Sequence, residues 1–251
     1  EVLADTGSDL AIPFPPDFSG DPRIEWLIGL LKALGQEKVL LLCRSRAKAE
    51  AIEEAIRARF NVKVAVFHEG LSLVQRDRHA AWFAEEDGAR LLICSEIGSE
   101  GRNFQFAHHL VLFDLPIEPE LLEQRIGRLD RIGQSSQIHL HVPYVLGSAQ
   151  EILARWYDLG LDSFRKNLHG GHELRERFAA RIQALAAGFH EAGTGTSDSL
   201  RVLIEDTVTA REALTARLEQ GRDRLLELNS FRPQVAAELV AQIRAQDRDE
   251  T

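Results

Sequence analysis

Three arginines stand at helical spacing in the segment from Leu122 to Gln134, and their chemistry is the strongest functional signal in the chain. Arg125, Arg128 and Arg131 are three residues apart, so on one helix their like charges repel one another. A guanidinium group binds phosphate oxygens in a bidentate manner and stays charged at any working pH. The segment therefore predicts a surface that receives a phosphoryl group, with a solvated basic helix face as the alternative.

A second candidate segment runs from Ser95 to Asn103, where Gly98 and Gly101 allow backbone to approach a ligand closely. It matches neither the dinucleotide glycine pattern nor a Walker phosphate loop, and no Gly-Lys pair occurs in the chain. No Asp-Glu pair ends a predicted strand to hold Mg²⁺. We therefore expect that this chain supplies only half of a nucleotide site, without the phosphate loop and the Mg²⁺-binding acids.

Other chemistries have weaker support. Cys43 and Cys94 each end an apolar run, which favours buried reduced thiols over a disulfide or a metal pair. The histidines lack Cys or carboxylate partners at ligand spacing, so structural roles are favoured over a metal site. Ser95 and Ser99 lack the sequence of a nucleophile elbow, so acyl transfer is unsupported.

The elements that must position these segments alternate between strand and helix. Capping patterns predict helices that begin at Asp21-Pro22, at about Ser45 and at Ser72, where Gln75 completes a capping box. Short apolar runs, typical of strands buried on both faces, occur at 38–43, 63–67, 90–94, 109–113 and 137–142. We expect an α/β fold: a parallel sheet with helices on both faces and ligands at the carboxyl ends of the strands.

Extended patterns stop after Val142, and the rest of the chain is predicted to be an α-helical extension. Residues 148–168 and 173–187 carry helical periodicity, and a leucine stripe from Leu200 to Leu228 predicts a long amphipathic helix. Arg211 and Gly221 interrupt that stripe, which favours packing within the chain over a coiled-coil partner. The predicted domains are residues 1–168, with a core at about 21–146, and residues 169–251.

Composition restricts the function further. The chain has 251 residues, 44% of them apolar, so it can bury a full core. A net charge of −9 argues against broad nonspecific affinity for nucleic acid, so any such contact must be local. No apolar stretch is long enough for a membrane span and no export signal is visible, so we expect a cytoplasmic protein without a membrane partner. Methionine is absent, which suggests an internal piece of a longer protein.

The order of the motifs resembles the second RecA-like lobe of superfamily-two helicases. The segment Arg131-Ile132-Gly133-Gln134 and the spacing of Gly98, Gly101 and Asn103 are similar to the SWI/SNF-type branch. Within that branch the amino-acid sequence of residues 67–70, 95–106 and 123–134 resembles the RapA family of bacterial RNA polymerase-associated ATPases. The likeness continues at 155–157 and 218–227, so it covers nearly the whole chain.

The resemblance implies that ATP with Mg²⁺ binds between two lobes and is held mainly by a first RecA-like lobe. Arg128 and Arg131 would then be arginine fingers, which contribute about 10³- to 10⁵-fold in rate in related phosphoryl-transfer systems. Gln124 matches the same catalytic motif. The remaining residues implied by the resemblance are Gly127, Glu100 and Gly101 at the nucleotide, and Arg44, Ser95, Glu96, Asn103 and Gln105 near the DNA backbone.

The resemblance also implies a function for the full-length protein. Opening and closing of the lobes would move it along double-stranded DNA, and RNA polymerase would be the partner that it releases or recycles in transcription. This chain alone would be inactive. One alternative is a lobe of a strand-separating DNA helicase or repair translocase, and the other is a noncatalytic module whose helical tail docks a partner.

Overall fold

The computed structural model describes residues 16–96, 104–129, 137–166, 170–188 and 195–230, without the side chains of 195–197 and 222–230. Five parallel strands form one sheet in the order β2-β3-β1-β4-β5. Their bounds are β1 Val39–Cys43, β2 Val64–Phe67, β3 Leu91–Ser95, β4 His109–Leu112 and β5 His139–His141. The described helices are α1 Pro22–Ala33, α2 Arg46–Arg57, α3 Leu73–Ala84, α4 Pro119–Ile126, α5 Ala149–Arg155, a π-helix Trp156–Leu161, α6 Gly171–Gly188 and α7 Gly195–Ser230.

The sheet confirms the predicted α/β fold. β1 lies at its centre, paired with β3 on one side and β4 on the other. All residues of β1 to β4 are buried, as expected for strands covered on both faces, whereas the edge strand β5 is partly exposed. Alternate side chains of the strands pack with the apolar residues of α1 and α2 in one core, which includes Ile24, Leu27, Leu41, Ile52, Ile93 and Val111.

The predicted helix starts are confirmed by their caps. The Asp21 carboxylate accepts from the Arg23 N–H at 2.9 Å, with proline at the start of α1. Ser45 accepts from a backbone N–H in the first turn of α2. Ser72 and Gln75 form both hydrogen bonds of the capping box that begins α3. These polar groups satisfy N–H donors that a helix start leaves without partners.

The segment with the arginines departs from the expectation of one continuous helix. α4 ends at Ile126, and Gly127 is its C-cap. The Arg128 N–H donates to the Arg125 carbonyl at 3.3 Å and the Leu129 N–H donates to the Ile126 carbonyl at 3.1 Å. These bonds span three residues instead of four, so the chain tightens and leaves the helix as it buries Leu129. Arg125 is therefore helical, whereas Arg128 lies in a turn.

The helix predicted over 148–168 also differs from the structure. Beyond α5 the chain forms the π-helix, which ends at Asp162 in the left-handed conformation with a φ of 57°. Trp156 and Tyr157 are both fully buried, although successive side chains of a regular α-helix point about 100° apart. The wider turn accompanies the burial of two adjacent aromatic rings, which no periodicity in the sequence predicts.

The chain divides into two compact units, residues 1–208 and residues 209–251. In the first unit, Leu200 and Leu203 at the start of α7 are buried. In the second, Ala210 and Leu214 are buried on the same helix. The predicted long helix is thus present, while the boundary predicted at 168/169 falls outside the described residues and stays a prediction. Within the described residues, no helix has the length and apolar character required to span a membrane.

Candidate functional site

The carboxyl ends of three neighbouring strands form the centre of the candidate site. The register pairs Cys43 with Ser95 and Leu42 with Leu112, so the residues that follow β1, β3 and β4 come together. The Arg44 N–H donates to Asp114 Oδ2 at 3.0 Å, and the Glu96 N–H donates to the Arg44 carbonyl at 3.4 Å. Arg44, Ser95, Glu96 and Asp114 therefore lie together at the carboxyl ends of the strands, where the sequence predicts ligands.

Asp114 joins further elements at this edge. Its carboxylate lies 3.2 Å from Lys48 Nζ of α2 and 3.2 Å from Arg125 Nη1 of α4. Burial raises the pKa of this carboxyl, but the Lys48 and Arg125 cations and the Arg44 N–H together outweigh that effect, so the pKa lies below its ordinary value. Asp114 is therefore a carboxylate that holds β1, α2 and α4 against the end of β4.

Arg125 is buried and fully engaged by this network. Its side chain is 2% exposed. Nε donates to Glu96 Oε2 at 2.8 Å, Nη2 donates to the same oxygen, and Nη1 donates to the Asp114 carbonyl at 2.5 Å. One guanidinium group thus bonds to the ends of two strands. The like-charge repulsion inferred from the sequence is offset here by two carboxylates, so Arg125 itself has no need of a phosphate.

Arg128 has a different environment. Its carbonyl accepts from the Phe104 N–H at 3.1 Å, which fixes the backbone of the turn, while its side chain is partly exposed. Burial raises the pKa of the Cys94 thiol near the end of β3, and the Arg128 cation partly opposes that rise. The positive charge therefore acts at the strand-end edge. Among the residues that the structure describes, none forms a hydrogen bond or ion pair with the Arg128 guanidinium.

A second cluster connects β2 with β3. The Ser95 hydroxyl donates to Glu69 Oε2 at 2.6 Å, and Ser95 is fully buried. Burial raises the pKa of Glu69, but the Ser95 hydrogen bond, a backbone N–H and the charges of His68 and Arg46 together outweigh it, so the pKa of this carboxyl lies below its ordinary value. His68 accepts from the Gly70 N–H at 3.2 Å through Nδ1, and burial lowers the pKa of its ring. The Ser95 hydroxyl thus orders the turn from residue 68 to residue 70.

The other predicted site residues are only partly described. Gln124 is exposed on α4, Gly127 ends that helix, and Gln105 lies partly buried in the turn before β4. At Gly127 a Cβ atom would lie 3.2 Å from the Glu123 carbonyl oxygen, so a side chain would crowd this turn. Four predicted residues lie outside the described part of the chain: Glu100, Gly101, Asn103 and Arg131.

Sequence reasoning missed the roles of Lys48 and Arg125. Arg125 follows Leu122 by three residues and precedes Leu129 by four, so it shares the buried face of the segment. That spacing was a usable signal, because a buried arginine requires acidic partners. Lys48 offered none, since its partner Asp114 lies 66 residues away in sequence.

The histidines on β4 and β5 form a cluster of their own. His109 Nε2 lies 2.9 Å from Glu37 Oε2, and its Nδ1 lies 3.0 Å from His141 Nε2. The rings of His109 and His139 stack at 4.8 Å. Burial, with the neighbouring histidines, lowers the pKa of His141 to about 4. Over the described ranges, no three His, Cys, Asp or Glu side chains are arranged to hold a metal ion.

The two cysteines are free and buried, as predicted. The Cys43 thiol donates to the Cys94 carbonyl at 3.5 Å. Burial raises the pKa of both thiols well above the ordinary value. Both side chains therefore remain neutral and contribute to packing beneath the strand ends.

Comparison with known proteins places two family models along the chain. The helicase conserved C-terminal domain matches residues 22–133. The RNA polymerase recycling family C-terminal region matches residues 137–251. The resemblance to the RapA family, drawn from the motifs, is confirmed by these two adjacent matches.

Solved structures show a partial likeness. The C-terminal part of the Fun30 ATPase domain is similar over 64% of this chain and 53% of its own, with 22% identity and a TM-score of 0.48. The Sulfolobus solfataricus SWI2/SNF2 ATPase core in complex with dsDNA is similar over 64% of this chain and 34% of its own, with 20% identity and a TM-score of 0.47. This chain therefore spans about half the length of the Fun30 structure and about a third of the Sulfolobus core.

Proposed function

Since this chain joins a helicase conserved C-terminal domain to the C-terminal region of the RNA polymerase recycling family, we propose that it is the second motor lobe of an ATP-dependent translocase on double-stranded DNA. In this proposal Arg128 and Arg131 act as arginine fingers. They neutralise charge on the γ-phosphoryl group of an ATP molecule that a first RecA-like lobe holds together with Mg²⁺.

The contrast between two neighbouring arginines carries the proposal. Arg125 is 2% exposed and bonded to both Glu96 and Asp114, so these two carboxylates neutralise its charge. Arg128 is partly exposed, and none of the described residues bonds to its guanidinium group. A cation at the carboxyl ends of parallel strands, with a fixed backbone and an available side chain, is suited to an incoming phosphoryl group.

The residues near the strand ends supply the other parts of the proposal. Gly127 and the predicted nucleotide residues Glu100 and Gly101 would line the cleft between the lobes, and Gln124 would assist the fingers. Arg44, Ser95, Glu96, Asn103 and Gln105 would lie near the DNA backbone. Glu96 is the least suited to a direct phosphate contact, because its carboxylate is anionic and faces Arg125.

We further propose RNA polymerase as the partner of the full-length protein, which would release or recycle stalled polymerase during transcription. The match of residues 137–251 supports this partner. The segment extends from the edge of the sheet through α5, the π-helix, α6 and α7, so the contact would use the region after the motor lobe.

The finger role is tested by Arg128→Ala and Arg131→Ala in the full-length protein. We expect kcat for ATP hydrolysis to fall by about 10³-fold while the affinity for ATP changes little, because a finger acts mainly in the transition state. Arg201→Ala is the matched control, since Arg201 is an exposed arginine of α7 that pairs with Glu205. Equal losses of turnover and ATP affinity would contradict the finger role.

The alternatives are separated by two further measurements on the full-length protein. Unwinding of a forked duplex would identify a strand-separating helicase in place of a translocase. Absence of ATP hydrolysis with and without DNA, in a protein that still binds its partner, would identify a noncatalytic module.

A further inference from the structure

The end of α4 and the turn that follows it contact the chain on both sides of positions 97–103. On one side, the Glu96 carboxylate accepts from Arg125 Nε at 2.8 Å. On the other, the Phe104 N–H donates to the Arg128 carbonyl at 3.1 Å. The two residues that flank the predicted DNA-contacting and nucleotide-contacting segment are therefore bonded to residues only three apart at the end of one helix.

Both of these connections are anchored in the core. Phe104 is 2% exposed, and its ring lies edge-on to the rings of Phe67 and Phe83, with centroids 6.4 and 6.0 Å away. Leu129, which lies in the turn after Arg128, is fully buried. Close-packed interiors transmit displacements instead of absorbing them. We therefore expect a shift of Glu96 or Phe104 to reach the backbone of Arg128.

The fork geometry of Arg125 makes it the central residue of this connection. Its Nε and Nη2 bond to Glu96, while Nη1 bonds to both the carbonyl and the carboxylate of Asp114. The side chain thus fixes the end of β3 relative to the end of β4, and its own backbone carbonyl accepts from the Arg128 N–H. A lysine has one nitrogen and cannot form this planar set of bonds.

We propose that Arg125 is a positioning residue that couples DNA contact at the end of β3, near Glu96, to the placement of the Arg128 guanidinium group. The inference rests on the proposed function. If that function holds, the Arg125–Glu96 ion pair links the DNA contact to the nucleotide site. The position of the Arg128 guanidinium group then changes when DNA binds. Arg125 itself touches neither nucleotide nor DNA.

The test compares Arg125→Lys, Glu96→Gln and the double variant in the full-length protein, with ATP hydrolysis measured with and without double-stranded DNA. We expect each single variant to lower DNA-stimulated kcat by about 10- to 100-fold with little change in the KM for ATP, since misplacement of a catalytic group by an ångström costs on that order. The ratio of stimulated to unstimulated hydrolysis should fall toward one. The double variant should be no worse than either single variant, because both remove the same connection.

Arg90→Lys is the matched control for lost stability. Arg90 immediately precedes β3, at the opposite end of that strand, and donates to the Leu31 carbonyl at 2.8 Å. It should lower the melting temperature without changing the stimulation ratio. Should Arg125→Lys fail to fold, Glu96→Gln keeps the inference open to refutation, because it retains the size of the side chain and a hydrogen-bond acceptor.

The outcomes separate the inference from the function beneath it. If the unaltered protein hydrolyses ATP and loses activity with Arg128→Ala, but Arg125→Lys and Glu96→Gln keep the stimulation ratio and behave as Arg90→Lys does, the coupling role is wrong and the function stands. Multiplicative losses in the double variant would also overturn the coupling. If the unaltered protein hydrolyses no ATP, the proposed function fails and the inference fails with it.

Discussion

At the scale of single residues, two arginines three positions apart have opposite environments. Arg125 is buried between Glu96 and Asp114, and Arg128 projects from the following turn. A buried guanidinium group is tolerated only when its donors find acceptors, so the carboxylates at the ends of β3 and β4 determine where Arg125 lies. Arg128 is thereby left as the available cation at this edge.

Loss of one carboxylate should destabilise this arrangement. We predict that Asp114→Asn lowers the free energy of unfolding by about 2 to 4 kcal/mol, because Lys48 and Arg125 would lose a partly buried counter-charge. Urea denaturation of the full-length protein, observed as the unfolding of the lobe that contains Asp114, measures the change. Glu205→Gln in the exposed pair with Arg201 is the control and should cost much less, because solvent screens that pair. Similar losses for both would mean that the Asp114 network adds nothing beyond a surface ion pair.

The histidine cluster predicts a dependence of stability on pH. The pKa of His141 is about 4 in the folded chain, whereas an unfolded histidine titrates near pH 6.5. Between these values the unfolded state binds a proton at His141 and the folded state does not. The contribution of neutral His141 to the free energy of unfolding is therefore complete above about pH 6.5 and is lost as the pH falls toward 4. The groups facing His141 are His109, His139 and Trp26, with Glu37 bonded to His109.

Thermal unfolding at pH 7.5, 6 and 5 tests this expectation. The melting temperature should fall with pH, and His141→Gln should flatten the part of the fall between pH 6.5 and 5. His172→Gln, at a side chain that is 67% exposed, should leave the pH profile unchanged. A profile that His141→Gln leaves intact would show that other groups control the acid sensitivity.

At the scale of elements, the ends of helices decide the geometry of the site. α4 stops at Gly127 so that Leu129 is buried, and this places Arg128 in a turn. The π-helix buries Trp156 and Tyr157 together, and the Tyr157 hydroxyl donates to the Pro116 carbonyl at 2.9 Å. Pro116 precedes α4, so the π-helix supports the segment that leads into the arginine turn.

The π-helix forms a buried hydrogen bond with α7. Trp156 Nε1 donates to Thr207 Oγ1 at 3.1 Å, and Thr207 is fully buried. We predict that Thr207→Val costs about 1 to 3 kcal/mol of unfolding free energy, because it keeps the shape and leaves the indole N–H without an acceptor. Equilibrium urea unfolding gives the value. Thr215→Val on the exposed face of the same helix is the control and should be close to neutral.

At the scale of the whole molecule, we propose that the chain supplies the second lobe of a two-lobed motor. The described strand ends hold the Arg128 cation that we propose for a phosphoryl group, but the sequence contains no Gly-Lys pair of a phosphate loop. The acidic average, a net charge of −9, makes any contact with DNA a local one.

This division of labour predicts that the isolated chain of residues 1–251 hydrolyses no ATP, with or without double-stranded DNA. The reason is that the groups that hold the β- and γ-phosphates and Mg²⁺ would belong to the other lobe. A phosphate-release assay on the purified chain measures this, with the full-length protein as the positive control. DNA-stimulated hydrolysis by the chain alone would contradict the two-lobe arrangement.

The sequence by itself determined the order of elements, the caps at Asp21 and Ser72, and the place of Arg44 and Ser95 after the ends of parallel strands, because periodicity, capping and parallel strand direction are local or topological rules. Only the tertiary structure decided which arginine is available. Arg125 and Arg128 are chemically identical, and their environments differ because one side chain meets the carboxylates of Glu96 and Asp114, 29 and 11 residues away in sequence, while the other does not. Contacts between distant residues depend on packing, which no local pattern encodes.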